Sequence, residues 1–175
     1  QGRANWVSTL DPTVYTEKML GLADRFVSAG RKIKVVNIST LLKNIISPRR
    51  DYMCLRFPCG AGISMLGVGV NGEVYSCEEM NGKEELQIGN VYNNSIEEIF
   101  NHPTNQRIKC RTLEKMTECR DCFAVDACGI NCANRSHSET KDFYSKTPLC
   151  DYYKQMIPGL IWRIYENPKI IKCLT

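Results

Sequence analysis

Ten of the chain's 175 residues are cysteine, and their spacing constrains the fold more than any hydrophobic pattern does. The densest run reads Cys119-x2-Cys122-x5-Cys128-x3-Cys132, and Cys150 follows after a gap of seventeen residues. Thiols this close in sequence either pair as disulfides or converge on metal. Disulfide frameworks staple small secreted domains that cannot build a core. This chain is 43% hydrophobic and long enough to bury one. The spacing therefore favours metal ligation in a reducing compartment, which predicts a cytoplasmic location. A Cys-x2-Cys pair lets one tight turn aim two sulfurs at one centre, and wider intervals let later thiols reach that centre or a neighbouring one. Taken alone, the run suits zinc as well as iron and sulfide.

A second group lies upstream as Cys54-x4-Cys59, followed by Gly72-x4-Cys77. Between them, Met65 to Val70 and Glu73-Val74-Tyr75 flank Asn71-Gly72, a hairpin signal that predicts a type I′ turn with positive φ at both turn residues. The hairpin would deliver Cys77 at the end of its second strand. Gly67, Gly69 and Gly72 are not followed by a helix start, so they read as hairpin glycines and not as a phosphate loop. Ser95-Ile96-Glu97-Glu98 is a capping box, opening a short helix that ends before Pro103. Residues 110–150 carry little apolar periodicity, and ligation is expected to shape them.

The first fifty residues contain no cysteine. Asp11-Pro12-Thr13 starts a helix whose face carries Tyr15, Met19, Leu22, Ala23 and Phe26 up to Gly30. Ile33 to Val36 reads as a short strand, and Ser39 as the cap of a second helix burying Leu41, Leu42, Ile45 and Ile46 before Pro48. Near the C-terminus, Tyr152, Tyr153, Met156, Ile157, Leu160 and Ile161 have helical spacing that Pro158-Gly159 should interrupt. The fold class expected is α+β: a small β-hairpin and short helices organised around metal, preceded by a helix-strand-helix segment.

The net charge of +4 comes from basic residues spread through Arg31, Lys32, Lys34, Arg49, Arg50, Arg107, Lys109, Arg111, Lys115 and Arg120. Such a spread reads as a solvated face, and no nucleic-acid motif accompanies it. No apolar stretch reaches the roughly 18–20 residues of a membrane span. His102 and His137 lack metal-ligand spacing; His102 reads as a helix-end residue beside the last carbonyls. Trp6 and Trp162 read as core or interface aromatics. Gly129-Ile130-Asn131 is expected to turn backbone amides toward sulfur. Cys110 and Cys173 fit neither cysteine group and read as free thiols.

A cysteine, a spacer, Gly-x4-Cys, a gap, Cys-x2-Cys-x5-Cys-x3-Cys, a second gap and a last cysteine make up a pattern that resembles the SPASM domain of radical SAM enzymes. The resemblance runs from Cys54 to Cys150 and extends more weakly over residues 11–50, which look like the segment joining the radical SAM barrel to that domain. It implies three regions: 1–50 as that linker, 51–155 as the auxiliary cluster domain and 156–175 as a tail. It also implies two [4Fe-4S] clusters, one on Cys54, Cys59, Cys77 and Cys132, the other on Cys119, Cys122, Cys128 and Cys150. The crossing of Cys132 parallels two-cluster ferredoxins, in which the last cysteine of a run serves the other cluster. Two such clusters, each about −2 with its thiolates, would bring the protein near neutrality.

Radical SAM chemistry needs a Cys-x3-Cys-x2-Cys loop, and the 175 residues contain none. S-adenosylmethionine and a third cluster are therefore expected on a barrel, in the same polypeptide or in a partner. The function implied is radical modification of a peptide or protein, such as thioether cross-linking, with anaerobic sulfatase maturation as the alternative inside the family. Glu78, directly after Cys77, stands where some sulfatase-maturing relatives carry an acidic base. A non-enzymatic zinc module that binds a protein partner is the alternative outside the family.

Overall fold

The structure, a computed structural model, describes residues 11–30, 32–50 and 52–175. Trp6 and Arg31 lie outside the described residues. Helix α1 spans Pro12–Ser28, and the Asp11 carboxylate caps it by accepting from the amides of Thr13 and Val14 at 2.8 and 2.9 Å. Helix α2 spans Val36–Ile46 and ends at Ser47, before Pro48. It begins earlier than expected, so Ser39 is not its cap. Ser39 lies buried inside the helix and its hydroxyl donates to the Leu174 carbonyl. The strand expected at Ile33–Val36 does not form either. Residues 32–35 form no regular element, and the Ile33 amide donates to the carbonyl of Cys173 at 3.2 Å. That carbonyl belongs to a helix, which offers no continuing ladder for a strand to follow.

The sheet is antiparallel, with strands β1 (Gly67–Val68), β2 (Glu73–Tyr75) and β3 (Gln87–Asn90) in that spatial order. The hairpin is present, but its turn is one residue longer than expected. The Gly69 amide donates to Glu73 across a three-residue loop, and among the loop residues positive φ falls on Gly72 (φ +83°) and not on Asn71. Longer hairpin loops of this kind place the left-handed residue last, which is where the sequence supplies glycine. Val74 pairs with Gly89 and Tyr75 with Gln87, leaving Ile88 as the extra residue of an irregularity. Ile88 is buried with Val74 and Ile99 beneath the sheet.

Helix α3 (Ile96–Asn101) has the expected capping box between Ser95 and Glu98. A second short helix, α4 (Pro103–Lys109), follows at once because Pro103 suits the first helical turn. His102 caps the start of α4, its Nδ1 accepting from the Thr104 amide at 3.2 Å, so it serves a helix N-terminus and not the carbonyl end. Three further pieces, α5 (Thr117–Arg120), α6 (Val125–Cys128) and α7 (Ala133–Thr140), carry the cysteine run.

Helix α8 (Cys150–Glu166) continues through Pro158 and Gly159. Proline removes one amide from the helical ladder, but Pro158 and Lys154, whose carbonyl it leaves free, are both on the exposed face. Gly159 lets α1 approach closely, since a Cβ there would stand 2.6 Å from a methyl of Leu20. Helix α9 (Lys169–Leu174) closes the chain.

Two larger cores result. The helical one joins Ala23 of α1 and Leu41 and Leu42 of α2 to Met156, Ile157 and Leu160 of α8 and Ile170 and Leu174 of α9. The other lies against the sheet and contains Tyr75, Met80, Leu86, Ile108 and Phe143. The architecture is α+β.

Candidate metal centre

Eight cysteines fall into two neighbourhoods. Electrostatically, Cys54 acts most strongly among thiols with Cys132 and Cys59, and Cys77 with Cys132, Cys54 and Cys59. Cys119 acts with Cys150 and Cys122, and Cys128 with Cys119, Cys150 and Cys122. Cys132 is thus separated from Cys128, four residues before it, and drawn to the hairpin side. Cys110 ends α4 and Cys173 lies in α9; neither belongs to these groups. All ten cysteines are free thiols. Among the described residues, no three His, Cys, Asp or Glu side chains already stand in position for a single metal ion.

The upstream group is built on the sheet core. Cys77 follows β2 and opens a 3-10 turn, Glu78–Met80. Ser76, before it, donates to Asn105 Oδ1 at 2.7 Å, and the Asn105 amide donates to the Phe100 carbonyl at 3.0 Å. Ser76 and Asn105 are both fully buried. This polar tie between β2 and α4 fixes the hairpin end, and the sequence reading did not single out Asn105. Cys132 stands just before α7, where the amides of Arg135 and Asn134 favour its thiolate without closing a capping hydrogen bond. The ionised thiol benefits from such a helix start. Glu78 is exposed at the first position of its turn.

The downstream group, Cys119, Cys122, Cys128 and Cys150, lines one depression. Tyr153 and Ile130 form its inner wall, and Glu118, Lys146 and Lys154 its polar side. Gly129 ends α6 in the left-handed conformation (φ +63°), and a Cβ there would meet the Leu55 backbone at 2.7 Å. The turn that follows aims the Ile130 amide toward Cys128, where it favours the thiolate. Amides turned toward sulfur in this segment were the sequence expectation.

Burial dominates the thiol chemistry. Burial first and the neighbouring thiols second push Cys77 up to about 11 and Cys128 up to about 12. Four thiols that oppose one another's ionisation need a shared positive centre before all can ionise. Soft thiolates in fours suit zinc or iron-sulfur clusters, so the donor sets fit the groups that the sequence resemblance implies.

Among the described residues, the basic spread contains one that is buried. Arg111 is 2% exposed, at the junction between the two thiol groups. Trp162 is not in the core; it is exposed and tilted against Tyr165 with ring centroids 5.6 Å apart. No helix among the described residues is long and apolar enough to cross a membrane.

Comparison with known proteins adds an independent line. The iron-sulfur cluster-binding domain family SPASM matches residues 59–123. An uncharacterized protein of Archaeoglobus fulgidus is 27% identical over 147 residues, covering 81% of this chain and 34% of that protein. Native anSMEcpe with bound AdoMet superposes with a TM-score of 0.70 at 20% identity, covering 95% of this chain and 45% of that one. The same protein with AdoMet and the Kp18Cys peptide gives a TM-score of 0.68 at the same identity and coverage. The chain thus spans about a third of the Archaeoglobus protein and less than half of anSMEcpe. Residues 59–123 thus match the SPASM iron-sulfur cluster-binding domain, on a fold that this chain shares with anSMEcpe.

Proposed function

We propose that the chain is the auxiliary-cluster part of a radical SAM enzyme that modifies a peptide or protein substrate. The carrying observation is the sorting of eight thiols into two groups of four, with Cys132 drawn to the hairpin side. In this reading Cys54, Cys59, Cys77 and Cys132 hold one [4Fe-4S] cluster, and Cys119, Cys122, Cys128 and Cys150 hold the other. When bound, such clusters supply one-electron redox capacity and, where an iron is open, a point of attachment for substrate. The chain's own residues orient the thiolates: amides of Arg135, Asn134 and Ile130 favour them, and Tyr153 and Ile130 line the downstream set.

AdoMet and a peptide occupy anSMEcpe structures of the same fold. On that likeness we assign the S-adenosylmethionine site and a third cluster to a barrel, in the same polypeptide or a partner. The substrate is then a peptide segment, with thioether cross-linking or a similar outcome, and the location is the reducing cytoplasm. Glu78 is exposed beside Cys77, where a base acting on bound substrate could reach it.

Anaerobic purification tests the reading. The expected protein is brown and carries about eight irons on these thiols. A colourless protein with about two zinc ions would replace it with a structural zinc module.

A further inference from the structure

Arg111 is buried at the point where the two thiol groups meet, and its polar partners are unusual for a cation. Its Nε donates to the Phe143 carbonyl at 2.7 Å, Nη1 to the Asn131 carbonyl at 3.0 Å and Nη2 to the Ile130 carbonyl at 3.4 Å. Carbonyl oxygens satisfy the donors but supply no charge. No carboxylate among the described residues pairs with Arg111. A buried guanidinium without a counter-charge is among the most costly arrangements in a fold. Burial works against its charge, and the groups that favour it are Cys59 and Cys132 of the upstream set, then Cys119 of the downstream set and the Tyr144 hydroxyl.

The backbone gives a second observation. Ile130 and Asn131 have φ of +51° and +54°, although neither is glycine. A β-branched residue in that region is strained and persists only where its surroundings hold it. Two of the three guanidinium contacts fall on the carbonyls of these two residues. They are the residues that turn the chain from Cys128, in one group, to Cys132, in the other.

We propose that Arg111 is a positioning residue that clamps the crossover between the two clusters and serves both as a shared fixed cation, raising their reduction potentials together. This rests on the reading that both thiol sets hold clusters. A cation in a dry interior stabilises the more negative, reduced state of each neighbouring cluster, and burial limits screening by water or salt. The Arg111 fork supplies the geometry and its charge supplies the potential.

Redox titration of the intact, anaerobically loaded protein, followed by EPR, tests this with Arg111→Met and Arg111→Lys beside the wild type. In Arg111→Met the reduced-to-oxidised ratio of both clusters at a fixed potential should fall about tenfold, a shift of about 59 mV for a one-electron couple. Arg111→Lys should return both toward wild type, because it keeps the charge. Two clusters retained in Arg111→Met with one or neither shifted would overturn the proposal, as would a lysine variant shifted as far as methionine. Should Arg111→Met lose its clusters, Arg111→Lys decides: both clusters at wild-type potentials support the shared cation, and altered potentials or lost clusters overturn it. Wild-type protein that binds no iron instead overturns the functional reading beneath it.

Discussion

The two thiol groups are alike in chemistry and unlike in how the chain assembles them. The downstream group comes from Cys119 to Cys150, on short helical pieces and the first turn of α8, with Cys122 and Cys128 touching the helical core directly. The upstream group reaches from Cys54 to Cys132 and depends on a hairpin, a buried Ser76–Asn105 tie and the start of α7. Closing a longer loop costs more entropy, though the cost grows slowly with length. The contrast teaches that one site is mostly local and the other is a product of the tertiary fold, linked by a single turn at 129–131.

Cysteine exchange breaks this comparison most directly. Cys132→Ala should remove the upstream cluster, and Cys150→Ala the downstream one. Each variant should fall from about eight irons to about four, with different Mössbauer or EPR signals surviving. Identical spectra from the two variants would refute the crossed arrangement.

Packing beneath each group offers the next test. Leu160 is fully buried in the helical core, and Phe143 is 1% exposed in the sheet core, its ring stacked on His137 at 4.5 Å. Leu160→Ala should cost about 2–5 kcal/mol and Phe143→Ala about 3–5 kcal/mol, as cavity-forming substitutions do. Denaturant titration with both cluster signals followed should show the downstream signal lost first in Leu160→Ala. In Phe143→Ala the upstream signal should go first. Loss of both signals together in each variant would mean that the cores unfold as one unit.

Much of this arrangement was legible in the sequence because cysteine spacing and helix caps act locally. Asp11, the Ser95–Glu98 box and the hairpin position followed from short-range rules. What escaped was set by distant partners. Arg111 looks like one more surface cation until Phe143, Ile130 and Asn131 surround it. Asn105 has no motif, and its role exists only because Ser76 faces it across the fold. Pro158 should break α8, yet packing of Met156, Ile157 and Leu160 keeps the helix whole. Ser39 looks like a cap in sequence and is a buried donor to Leu174 in space. Local propensity is a weak prior wherever such tertiary contacts compete.

The smallest expected effect concerns the outer edge of the helical core. Arg163 of α8 grips Asp24 of α1 with two parallel bonds, Nε to Oδ1 at 2.7 Å and Nη2 to Oδ2 at 2.8 Å. The Asp24 side chain is half exposed, so water and salt screen the pair despite its favourable geometry. Asp24→Asn should therefore cost less than about 1 kcal/mol, and the difference from wild type should shrink as salt is raised. Neither cluster signal should change, because Arg163 lies in the last turn of α8 and Cys150 in the first, with Gly159 and Leu20 already in contact between α8 and α1. A loss well above that range, or one that takes the downstream cluster with it, would show that the local site leans on the full helical core as heavily as the upstream site leans on the sheet.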